Sequence, residues 1–258
     1  MRATNGGHIV LVHILGPLQV DVDGRPVPLG GRRSQLVLAT LALTPNWVVP
    51  LDRLVDNLWG AAPPASARTQ IRICVSQLRR AFADAGAPPV IETHPNGYRL
   101  RLGPGELDAT LFNEEVARAR LRAATGHLPE AAADLRQALA RWTGPAMAGL
   151  DCPALESWAR RLEENRLRAV EERVRLELAL GRPGDLVGEL LELVSAHPFR
   201  EHLHALLMQA LHRSGRTVEA LGVYRTLRAQ LVEELGLEPG PELRTLEQDI
   251  LNGACPAS

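Results

Sequence analysis

The feature that most constrains this chain is a change of hydrophobic period, made twice within its first hundred or so residues. Short apolar runs at Val10–Leu15, Leu18–Val22 and Pro26–Leu29 are punctuated by Gly16-Pro17 and Asp23-Gly24. The stretch Val20-Asp-Val-Asp-Gly-Arg-Pro-Val27 alternates with a period of two and turns at Asp-Gly, which predicts a hairpin. Helical spacing then takes over. Ser34–Thr44 carries Leu36, Val37, Ala39, Leu41 and Leu43 and is stopped by Pro45. Leu51–Trp59 sets Leu51, Leu54, Val55 and Leu58 on one face and stops at Gly60. Beyond the stiff pair Pro63-Pro64, a further helix is predicted from an N-cap at Ser66 to Ala85, closed by Gly86. Strand character returns in Val90–Thr93 and Tyr98–Leu102, joined through His94-Pro95-Asn96-Gly97 with Asn-Gly at the tip. A sheet, three helices and a hairpin, in that order, make a winged helix-turn-helix over residues 9–102, bounded by Gly103-Pro104-Gly105.

Residues 106–252 show no strand pattern. Amphipathic helices are divided by Gly126-His127, Gly144-Pro145, Gly181-Arg182-Pro183, His197-Pro198, Ser214-Gly215-Arg216 and Glu238-Pro-Gly-Pro241, and Pro153–Leu180 reads as one long helix or two. Gly215-Arg-x-x-Glu219-Ala-Leu-x-x-Tyr224 resembles the tetratricopeptide pattern, echoed by Gly126-His-x-x-Glu130-Ala131. One helix pair cannot bury its apolar face alone, so a stacked array follows. The expected fold class is an α+β winged helix-turn-helix followed by an all-α tetratricopeptide-like array.

Charge divides along the same line. The whole chain carries a net charge of −1, but residues 1–102 hold eleven arginines against six acids, a net +5, and the rest a net −6. That asymmetry suggests one half facing nucleic acid and one facing protein. All 29 basic residues are arginine. Phosphate loops, Schiff-base sites and kinase-type nucleotide sites normally need a lysine, so none of these can be assembled in its usual form. Glu201-x-x-His204 and His202-x-His204 are not closed metal-ligand sets, and no serine-nucleophile or dinucleotide motif occurs. No metal, cofactor or enzymatic centre is therefore expected. Cys74, Cys152 and Cys255 have neither metal spacing nor a pairing logic, which fits a reducing cytoplasm. No run is long enough for a membrane helix, and Ile9–Leu15 lacks the flanks of a signal peptide.

The helix after Pro63-Pro64 has two faces. Ala67, Ile71, Cys74, Val75, Leu78 and Phe82 recur at three and four and belong to a core. Arg68, Thr69, Arg72, Ser76, Arg79 and Arg80 share the other side, a face suited to the major groove of duplex DNA, with its N-terminal residues reaching bases and Arg79 and Arg80 nearer phosphates. His94, Asn96, Tyr98, Arg99 and Arg101 sit on the hairpin, where a wing touches backbone or minor groove, although Tyr98 equally suits packing of the wing onto the helices. Arg32 and Arg33, ahead of the first helix, are candidate phosphate clamps, with Ser34 as its N-cap. Trp47 and Trp59 are expected to pack in the interior or between helices. The alternative reading of the same face is a solvated arginine stripe on a protein-docking scaffold.

Ile14-Leu-Gly-Pro-Leu18, Arg32-Arg-x-x-Leu36, Leu51-x-x-Leu-Val-Asp-x-Leu-Trp-Gly60, Pro63-Pro-x-x-Ala-Arg68, Val75-Ser-Gln-Leu-Arg-Arg80 and Gly97-Tyr-Arg-Leu100 together resemble the N-terminal domain of the Streptomyces antibiotic regulatory protein family. Ala138-Leu-Ala-Arg-Trp142, His197-Pro-x-Arg-Glu201, Arg213-Ser-Gly-Arg216 and Glu234-Leu-Gly-Leu-Glu-Pro-Gly-Pro-Glu-Leu243 resemble that family's bacterial transcriptional activation domain. The resemblance implies an OmpR-type winged helix and a small, two-domain member. It further implies binding to promoter direct repeats, self-association on DNA, recruitment of RNA polymerase including its sigma subunit, and a cytoplasmic, nucleoid-associated protein. Where the family often has a hydroxyl-rich run in the recognition helix, this chain has Ile71-Arg-Ile-Cys74, so base preference does not transfer.

Overall fold

The computed structural model describes residues 9–181 and 183–253; Cys255 lies outside the described residues. The N-terminal sheet is antiparallel in the order β1 (Val10–His13), β2 (Gln19–Val22), β3 (Arg25–Pro26), with Val12 opposite Val20 and Val22 opposite Arg25. The turn between β2 and β3 is Asp23-Gly24 with φ of +51° and +76°. Two left-handed residues in a row are what a tight hairpin requires, because their twist matches that of the strands. The strand expected over Pro26–Leu29 ends at Pro26.

Next come α1 (Arg32–Ala42), β4 (Val49–Pro50), α2 (Leu51–Trp59), α3 (Ala67–Asp84), β5 (Ile91–His94) and β6 (Gly97–Leu100). The second sheet has the order β4-β6-β5, so the wing hairpin is anchored on a two-residue strand that its length hid from the sequence pattern. The start of α1 differs from expectation. Gly30 has φ +74° and Gly31 is the extended N-cap, so the helix begins at Arg32 rather than at Ser34. Ser34 is buried in the first turn, and its hydroxyl donates to Gln77 Oε1 at 3.1 Å. Trp47, expected inside, is 76% exposed on the α1–β4 connection. By contrast, α3 buries Ala67, Ile71, Cys74, Val75, Leu78 and Phe82, the residues its periodicity assigned to the core.

The remaining elements are α4 (Asp108–Ala124), α5 (Leu128–Leu139), α6 (Pro153–Ala179), a 3-10 turn (Gly184–Leu186), α7 (Val187–Ala196), α8 (Glu201–Arg213), α9 (Thr217–Leu235) and α10 (Pro241–Leu251). Pro153–Ala179 is thus one continuous helix. The chain forms two compact units, the first running up to Val116 and adding Gln137–Arg166. This first unit takes in more than the winged helix. The Asp108 carboxylate accepts the backbone N–H groups of Ile14, Leu15 and Ala109 at 2.7–3.0 Å. Thr143 N–H donates to the Leu15 carbonyl and Met147 N–H to that of Ile14, both at 3.0 Å. Phe112 and Trp142 meet edge to face at 5.7 Å, and Arg141 holds Glu115 through two 2.7 Å bonds.

The second unit comprises Ala117–Arg136 and the residues from Leu167 onward. Its buried carboxylates are each answered by arginine. Asp134 faces Arg118 and Arg122, Glu177 faces Arg136 and Arg173, and Glu171 faces Arg200. Isolated charges there would be expensive to desolvate, so the pairing is what makes these positions tenable. In the tetratricopeptide-like word, Gly215 turns the chain at φ +78°, Arg216 forks onto Glu219, and Ala220 is fully buried between α8 and α9.

One buried histidine makes this unit sensitive to acid. His204 donates from Nε2 to the Pro198 carbonyl at 2.9 Å, leaving Nδ1 unprotonated, buried and without a hydrogen-bond partner. Burial holds its pKa below the ordinary value of 6.5. A folded-state pKa below the unfolded one contributes stability that is complete above the unfolded value and is lost as pH falls through the folded value. The urea midpoint of the second unit is therefore expected to fall between pH 7 and pH 5. His204→Gln, which keeps the donor but cannot titrate, is expected to flatten that decline; an equal decline in the variant would reject the assignment.

Candidate nucleic-acid interface

The outer face of α3 presents Arg68, Thr69, Arg72, Ile73, Ser76, Gln77, Arg79 and Arg80, all exposed. These arginines are not equivalent. Arg68 Nη2 lies 2.6 Å from Asp52 Oδ1 at the start of α2, an exposed pair that orients the guanidinium but contributes little stability. Arg80 and Asp84 are 3.8 Å apart on the last turns. Arg72 has no ion-pair or hydrogen-bond partner among the described residues and keeps its full donor set for an incoming acceptor.

Arg79 has another task. Its Nε donates to the Ile91 carbonyl at 2.9 Å and its Nη2 to Thr93 Oγ1 at 2.8 Å, while its guanidinium lies 6.0 Å from the centre of the Tyr98 ring. This side chain fastens α3 to the wing and sets the angle between the two elements that would touch DNA. Tyr98 is only 8% exposed, so it packs within the wing rather than offering a face to a groove. Asn96 is exposed at the hairpin tip, and its carbonyl accepts Leu51 N–H at 2.8 Å. Arg99 forks onto Glu92, whose pKa is lowered chiefly by that hydrogen bond; Arg101 and His94 also approach Glu92, each at 3.7 Å. One carboxylate is thus shared by three cationic or titratable groups.

Arg32 and Arg33 belong to the first turn of α1 rather than preceding it. Arg32 Nη2 donates to the Asp151 carbonyl at 2.5 Å, and Arg33 stacks over Trp59 at 5.9 Å. Both line a groove that also takes in Gln70, Ile73 and Gln77 of α3. The geometry therefore gathers Arg68, Thr69, Arg72, Ser76 and Arg80 on one helix face, ties Arg79 to the wing, and withdraws Tyr98. Sequence reasoning passed over Ile73 and Gln77. Helical spacing was the available signal: Ile73 stands two positions from the buried Ile71, roughly 200° around the helix, and so had to face outward. Among the described residues, no group of three or more His, Cys, Asp or Glu side chains could hold a metal ion, and no helix is long and apolar enough to cross a membrane.

Residues 24–100 match the family model described as transcriptional regulatory protein, C terminal, and residues 107–251 match the bacterial transcriptional activator domain. Over 93% of this chain and 91% of its own length, the regulatory protein DnrI of Streptomyces peucetius is 38% identical. The chain belongs to the Streptomyces antibiotic regulatory protein family. Its two parts are an OmpR-type winged helix and a bacterial transcriptional activator domain. AfsR of Streptomyces coelicolor is 37% identical over 92% of this chain but only 24% of its own length. The transcriptional regulatory protein EmbR of Mycobacterium tuberculosis is 38% identical over 92% of this chain, which spans 62% of the EmbR length. A solved structure of that EmbR, in complex with a low affinity phosphopeptide, superposes with a TM-score of 0.93 at 36% identity, covering 97% of this chain and 67% of that one.

Proposed function

We propose that this regulator activates a secondary-metabolite biosynthetic gene cluster by binding direct repeats in its promoters and recruiting RNA polymerase, sigma subunit included. In this reading residues 9–102 bind DNA and self-associate along the repeats. Residues 106–252 give the polymerase a helical docking surface, and the protein works in the cytoplasm at the nucleoid. The observation that carries the reading is the face of α3, where Arg72 stands free between Thr69 and Ser76 beside a wing whose position Arg79 sets. Exposed arginines and hydroxyls on a helix of this kind suit base edges near the N-terminal end and phosphates beyond it. The match of residues 107–251 to the bacterial transcriptional activator domain supports the activator role, and DnrI and AfsR are regulatory proteins of Streptomyces.

A footprint of the full chain on the promoter of a neighbouring biosynthetic operon, followed by transcription with purified polymerase, tests both halves. Protected repeats and a raised transcript level are expected. Protection with a lowered transcript level would make the protein a repressor, and binding indifferent to sequence and salt would remove the DNA reading altogether, since phosphate contacts weaken steeply as salt rises. Arg72→Ala is expected to weaken binding at the protected repeat by about 1–3 kcal/mol, measured by anisotropy titration at fixed salt. Unchanged affinity would move the interface to another face.

A further inference from the structure

The large apolar residues of α3 are buried with one exception. Ala67, Ile71, Cys74, Val75, Leu78 and Phe82 lie in the core, whereas Ile73 is 51% exposed at the middle of the face just described. The fold leaves about half of this isoleucine uncovered. It stands one helical turn from Thr69 on one side and from Gln77 on the other, positions four apart that share a face, with Arg72 beside it. Gln77 is partly committed, since its Oε1 accepts the Ser34 hydroxyl, and Arg68 is paired with Asp52. The exposed centre of the face is therefore an apolar side chain bordered by cations and hydrogen-bonding groups.

Resting on the DNA reading above, we infer that Ile73 determines specificity by packing against the C5-methyl group of a thymine in the major groove. Of the groups displayed on base edges there, the thymine methyl is the apolar one, and it lies between phosphate rows that Arg72 and its neighbours would neutralise. A cytosine at the same step offers only a C5–H where thymine carries the methyl, so the apolar contact is lost, and its exocyclic amine beside the isoleucine finds no acceptor there. Ile73 thus favours an A·T pair at one position of each repeat without making a hydrogen bond.

The test uses duplexes enriched from a random-sequence pool by the full chain, resynthesised with each thymine replaced in turn by deoxyuridine, which removes the methyl and changes no hydrogen bond. Burial of one methyl-sized group corresponds to about a fourfold change in affinity. At one thymine per repeat, the wild-type chain is expected to bind the uracil duplex about fourfold more weakly. Ile73→Ala is expected to bind both duplexes equally, and Ile73→Val to retain the preference. Because Ile73 is exposed, matching urea unfolding curves for wild type and variants would establish that the fold is intact. If every thymine-to-uracil change affected wild type and Ile73→Ala by the same ratio, with specific binding retained, the assignment would be overturned while the DNA reading stood. If no sequence were enriched, both would fall.

Discussion

Replacing Asp108 with alanine is expected to cost about 3–5 kcal/mol of the first unit's stability, the range for removing one partner of a buried charged arrangement. Its carboxylate is 5% exposed as a residue and accepts the N–H groups of Ile14, Leu15 and Ala109. Alanine leaves three donors in a site that water cannot fill without opening the end of β1. Each unsatisfied buried donor costs about 1–3 kcal/mol, so three of them reach this range even where they partly relax. Burial is the largest influence on the Asp108 pKa and raises it, which marks the price of holding the group as an anion; the backbone donors act the other way. A folded-state pKa above the unfolded one means the folded state gains relative stability from this group as pH falls through that value. Asp108→Asn removes the buried charge but turns an N–H toward backbone donors, so it should lie between wild type and alanine. Urea unfolding at pH 7 measures both variants, and an alanine variant within 1 kcal/mol of wild type would reject the account.

Asp108 also shows what a sequence pattern hides. Read locally, it is an acidic residue at the start of a helix, favourable to the helix dipole and otherwise unremarked. Two of its three partners, Ile14 and Leu15, lie more than ninety residues earlier, and periodicity carries no information about such distant pairs. The same limit explains the other gaps. β4 is two residues long, too short for an alternation to register. Gly30 and Gly31 moved the start of α1 because a glycine pair can supply the turn and the cap that Ser34 was expected to provide. The core face of α3 and the β2–β3 turn were legible for the opposite reason, since local spacing and Asp-Gly chemistry suffice to specify them, whereas the wing turns at Pro95-Asn96 and places Gly97, expected at the tip, in β6. At the interface, residue type and face could be read, but commitment could not. Nothing in the order of residues distinguished Arg79, bonded across to the wing, from Arg72, which is free.

The wing provides the second large effect. Gly97 begins β6, paired with Pro50 on one side and His94 on the other. A Cβ built there would stand 1.9 Å from the Val49 carbonyl oxygen and 2.8 Å from its carbon. Both obstacles are backbone, so no rotamer change relieves the clash and β4 must move away from β6. Gly97→Ala is expected to destabilise the first unit by about 3 kcal/mol, at the upper end for an inserted methyl group. Its effect on DNA binding should be larger than stability alone predicts. Val49 and Pro50 lead directly into α2, and Leu51 N–H is tied to the Asn96 carbonyl, so displacing β4 shifts the hairpin tip and the start of α2 together. The Arg79 bonds to Ile91 and Thr93 would persist, because they run to β5. At a temperature where the variant is still folded, the expected result is binding weakened at least tenfold with a smaller salt slope, as phosphate contacts from the wing are lost. An unchanged salt slope would mean that the wing contributes no phosphate contacts, leaving α3 to bind alone.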